Sequence, residues 1–99
     1  MFKSKPAETT DDVYLRIDMG VNTKTMSIYM SLDETDPKQH IGMVVWIGGG
    51  SIETSSVVFT STTETYSRWI VCGRRIGRYI LITMPVIGKS LNIIEVMAY

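Results

Sequence analysis

Short runs of β-branched and aromatic residues, each closed by turn-forming residues, set the tightest limit on how this chain can fold. Residues 13–19 (VYLRIDM) stop at Gly20, and residues 43–47 (MVVWI) stop at Gly48-Gly49-Gly50. Runs of the same kind cover 25–31, 56–60, 66–72, 78–84 and 91–97. No window carries the 3.6-residue apolar period of an amphipathic helix. Seven short strands separated by regular turns predict an all-β protein, an antiparallel β-sandwich or barrel.

Periodicity within the runs predicts their faces. In 25–31, Met26, Ile28 and Met30 alternate with Ser27, Tyr29 and Ser31, the period of two of a half-buried strand. In 78–84 both faces are apolar, so this strand is expected at the centre of the sheet, with Ile80, Leu81 and Ile82 buried. Pro85 ends it, since proline cannot donate to a ladder. The three glycines at 48–50 lack the lysine and helix of a phosphate loop and read as a turn. Residues 51–67 contain ten Ser or Thr, read as one strand and a hydroxyl-rich loop.

At 99 residues there is material for one core. A polar stretch over 1–11, with Pro6, is expected to be a flexible leader, and 12–99 the folded domain. Ten basic residues balance ten acidic ones, so no net field draws the chain to nucleic acid or an anionic membrane. No run approaches 18 apolar residues, which argues against membrane insertion by a helix. The single cysteine, Cys72, has no internal disulfide partner. With no signal peptide at its start, the chain as written reads as cytosolic, or as secreted if it is a mature or excised domain.

The segment GRRIGRYILITMPVIGKSLNIIEVMAY resembles the end of F-type lectin (fucolectin) domains, within the galactose-binding-like group. Gly77-Arg78-Tyr79, Pro85, Leu91, Glu95 and Val96 carry the likeness. Upstream, Tyr14-Leu15-Arg16-Ile17-Asp18-Met19-Gly20 is similar to the family's Trp-Trp-x-Val-Asp-Leu-Gly, residues 41–48 to a following strand, and Cys72 to a family cysteine. The resemblance implies a jelly-roll sandwich, incomplete because a preceding N-terminal segment has no counterpart here. It also implies that the fucose site is degenerate. Leu32 and Gln39 stand where the family has its sugar-binding arginines, and Ser56 and Ile94 where it has cysteines.

These residues imply a non-catalytic module that recognises a glycan or a protein through its loops. The alternative is a scaffold that oligomerises through the same fold. His40 has no recognisable nucleophile or metal-binding partner and is weighed against an ordinary loop histidine; an enzyme is not expected. Arg74, Arg75 and Arg78, near Tyr79 and Trp69, form the candidate ligand-binding set together with Lys38 and His40. Glu95 is the candidate calcium ligand by resemblance; no other cofactor is implied. Asp33, Glu34 and Asp36 lack the glycine and distal glutamate of a calcium loop and read as a solvated turn. Cys72 reads as a core cysteine in preference to a reactive thiol. A homo-oligomer or obligate complex is expected, because the apolar rows of 26–30 and 43–47 would otherwise lie partly uncovered.

Overall fold

A computed structural model describes residues 2, 3 and 14–99. Six strands form one continuous antiparallel sheet: β1 (Phe2–Lys3), β2 (Tyr14–Leu32), β3 (Val44–Gly48), β4 (Ser55–Thr60), β5 (Arg68–Thr83) and β6 (Asn92–Ala98). Their order is β1-β6-β2-β5-β3-β4. The all-β expectation holds, and the strand count changes for a definite reason. The runs 13–19 and 25–31 fuse into β2, and 66–72 and 78–84 fuse into β5.

Length forces this ribbon to bend. A straight strand of 19 residues spans roughly 60 Å, yet the longest dimension of the molecule is 33 Å. The β2/β5 ladder breaks register between Asp18 and Thr23 and again between Thr25 and Ser27. There Gly73 and Arg74 on β5 take left-handed φ values of 63° and 62°. The ribbon folds back at this point and places its two halves in opposing layers. One layer is β4-β3 with the second half of β5 and the first half of β2. The other is the remaining halves with β6 and β1.

The inner faces enclose one core. Ile28, Met30, Leu32, Ile70 and Ile93 meet Met43, Val45, Ile47, Ile80 and Ile82, all nearly or fully buried. Leu81 is also buried, on the other face of β5. The rows expected to be uncovered are therefore covered at 28–30 and 43–47. Met26 is the exception. The N–H groups of Met26 and Ser27 both donate to the Tyr99 carbonyl, at 2.7 and 3.3 Å. This bulge sets two residues against one and turns Met26 outward, so Thr25, fully buried, takes the inward place. Of the expected leader, Phe2 and Lys3 pair with Ile93 and Asn92; Met1 and residues 4–11 lie outside the described residues.

Candidate functional site

The fold-back gives the sandwich two unlike ends. At one end lies the bend, with residues 19–25 and 72–78 and the glycine turn after β3. At the other lie the loops 33–43, 61–67 and 84–91.

The loop end is tied together by hydrogen bonds. Gly42 N–H donates to the Ser61 carbonyl and Ser61 N–H to the Met43 carbonyl, each at 2.8 Å. Glu34 Oε2 accepts from Ser67 N–H at 2.8 Å, and the Lys89 ammonium donates to the Lys38 carbonyl. His40, expected on a surface loop, is fully buried in a short 3-10 turn, Pro37–His40. Its Nδ1 lies 3.0 Å from the Thr65 carbonyl. A carbonyl can only accept, so Nδ1 carries the proton, and the ring pins loop 33–43 to loop 61–67. Lys38 is exposed beside it.

On the outside of this knot a cleft of about 250 Å³ is lined by Phe59, Thr60 and residues 62–68. The Arg68 guanidinium stacks over the Phe59 ring, 4.4 Å from its centroid, while its Nε donates to the Trp69 carbonyl at 3.2 Å. Glu64 accepts from the Tyr66 hydroxyl at 3.3 Å. The carboxylate's charge, with some burial, pushes the Tyr66 phenol above its ordinary pKa, so it stays a neutral donor. A cation held over a ring, a carboxylate and several threonine hydroxyls thus share one cleft. Such a set offers donors and acceptors to a neutral, hydroxyl-rich ligand. The run of ten Ser and Thr residues was the sequence signal for it; Arg68 and Phe59 carried none.

The predicted ligand set does not gather at one place. Lys38 and His40 belong to the loop end, whereas Arg74, Arg75 and Arg78 belong to the bend. Arg78 there grips Asp18 with two bonds, Nε to Oδ1 at 2.7 Å and a terminal nitrogen to Oδ2 at 2.8 Å. Asp18 Oδ1 also accepts from Gly20 N–H at 2.8 Å. The Arg78 bonds, and then the Gly20 one, hold the Asp18 carboxyl down to about 2. Arg74 and Arg75 are exposed at the bend. Cys72 is buried, with Sγ 3.7 Å from the Ile70 carbonyl, and burial pushes its thiol up.

The outer face of the β5-β2-β6 layer is apolar. Tyr29 and Trp69 sit 5.1 Å apart at 60°, and Trp69 and Tyr99 5.2 Å apart at 45°. Val71 and Trp69 are 82% and 54% exposed. Glu95 is opposite Ser31 at the loop end of this face. Lys24, opposite Ile76, stands at its bend end. Among the described residues no three His, Cys, Asp or Glu side chains come together as a metal site would need.

This fold is similar to that of a solved structure. The crystal structure of an F-lectin (fucolectin) from striped bass (Morone saxatilis) serum superposes with a TM-score of 0.75 at 22% identity, over 98% of this chain and 34% of that one. The chain has a lectin-like fold. It spans about a third of that protein's length. No family model matches the sequence, and no curated protein matches it.

Proposed function

We propose that the protein is a non-catalytic carbohydrate-binding module that takes its glycan at the loop end, in the cleft between Phe59 and Arg68. The observation that carries this reading is the stacked Arg68–Phe59 pair beside Glu64, Tyr66 and the threonine hydroxyls. Arginine presents planar, fixed donors to vicinal hydroxyls, and the carboxylate supplies the acceptors. The lectin-like fold supports the same reading at a coarser level. Fucose is not the expected ligand. Leu32 is buried at the position where the resemblance would put an arginine, and Gln39 is held in the 3-10 turn. A glycan array probed with the protein and with its Arg68→Ala variant tests the reading. A subset of glycans bound saturably by the parent, and bound at least about tenfold more weakly by the variant, is expected from loss of a charged hydrogen bond. A folded protein that binds no glycan on the array overturns it, as does binding that Arg68→Ala leaves unchanged.

A second reading, in which the fold serves as an assembling scaffold, is favoured by the apolar outer face of β2, β5 and β6.

A further inference from the structure

We infer that the outer face of the β5-β2-β6 layer is a docking surface for a second copy of this chain, packed about a two-fold axis so that Lys24 of each copy meets Glu95 of the other. The inference deepens the scaffold reading and does not depend on what the loop-end cleft binds.

Chemistry identifies the occupant. Met26, Tyr29, Trp69, Val71, Met97 and Tyr99 share this face. Val71, Trp69, Tyr99 and Met26 are exposed at 82%, 54%, 57% and 47%. Isolated exposed apolar residues are ordinary, but a contiguous patch of aromatic and thioether side chains marks a binding surface. A sugar platform needs a flat ring with planar polar groups at its border. Here neighbouring rings are tilted by 60° and 45°, and the outward neighbours between the two charged ends, Ser27 and Ser31, are short hydroxyls. Methionine and tilted aromatics instead suit interdigitation with another apolar face, as in homodimer cores.

Charge then fixes the orientation. Lys24 lies on the bend side of the Met26 bulge, and Ser31, which pairs with Glu95, lies at the loop end of the strand. The face is therefore basic at its bend end, acidic at its loop end and apolar between. Two copies stacked in parallel would set Lys24 on Lys24 and Glu95 on Glu95. A two-fold axis lying in the interface plane and perpendicular to the strands brings the two faces together, reverses one copy and pairs each lysine with a glutamate, the self-complementary arrangement that an isologous interface requires.

Sedimentation equilibrium at micromolar concentration provides the test, with the parent, Glu95→Lys, Lys24→Glu and the double exchange. The parent is expected to sediment at twice its 11.1 kDa mass. Each single exchange sets like charges together and weakens the dimer about tenfold or more, while the double exchange restores it. Trp69→Ser, on a solvent face, yields the monomer with its dispersed amide spectrum intact. A parent that stays at 11.1 kDa up to about 100 μM, where even weak interfaces associate, overturns the inference. So does a dimer indifferent to all four variants, and so does a double exchange no better than the single ones. Glycan binding that persists in the monomeric variants separates this outcome from that of the cleft.

Discussion

Asp18 concentrates the electrostatics of the bend in one carboxylate. It receives a forked pair of bonds from Arg78 and one from the Gly20 amide, and its pKa falls from 3.8 to about 2. A carboxyl whose folded pKa is depressed binds protons more readily when unfolded, so its contribution is complete above about pH 4. It is lost as the pH drops through 2. Asp18→Asn should therefore flatten the fall in stability between pH 4 and 2, measured by urea unfolding at stepped pH. Because the pair is exposed, raised salt should shrink the difference between parent and variant. From sequence, Arg78 reads as a free cation near an aromatic ring. Its partner lies 60 residues upstream, and no local pattern reveals such a pairing.

At the scale of elements, the inward faces of Ile28 and Met30 in β2 and the central place of 78–84 in β5 were legible because period two survives wherever a strand is straight. Failures cluster where the backbone departs from regularity. Gly20 reads as a strand end, yet β2 passes through it, and the Met26 bulge shifts the face of a row that alternation alone put inward. The same irregularity explains why the site was harder to read than the fold. The cleft is assembled from β4, a loop and the first residue of β5, whereas Arg74, Arg75 and Arg78 stand out in sequence and lie at the opposite end. Gly77 marks a close approach between strands at the bend. A Cβ there would come within 2.7 Å of Gly48 Cα and N, backbone atoms that cannot rotate away. Gly77→Ala should destabilise the fold by about 1–3 kcal/mol through overpacking, seen as a lower urea midpoint with an unchanged slope.

For the molecule as a whole, one core joins both layers, so the two halves should unfold together. Ile82 is fully buried within that core. Ile82→Ala should cost about 2–4 kcal/mol through lost burial and the cavity left behind. Native-state amide exchange should record the same loss in β3 and in β6, since no smaller unit retains a core of its own. A drop confined to β3 and β5 would mean that the layers are energetically separate.

The shared ribbon has a mechanical meaning. In a sandwich of two separate sheets no hydrogen-bonded ladder runs from one layer into the other. Here β2 and β5 run through both layers at the bend, and the loops 33–43, 61–67 and 84–91 join the layers again at the other end, so the chain is built like a closed buckle. Slippage would tear a hydrogen-bonded ladder at the bend, and splaying would pull against the three loops at the other end. The loop-end cleft therefore sits on a frame held at both ends of the molecule, by the bend with its Asp18–Arg78 clasp at one and by the bonded loops at the other.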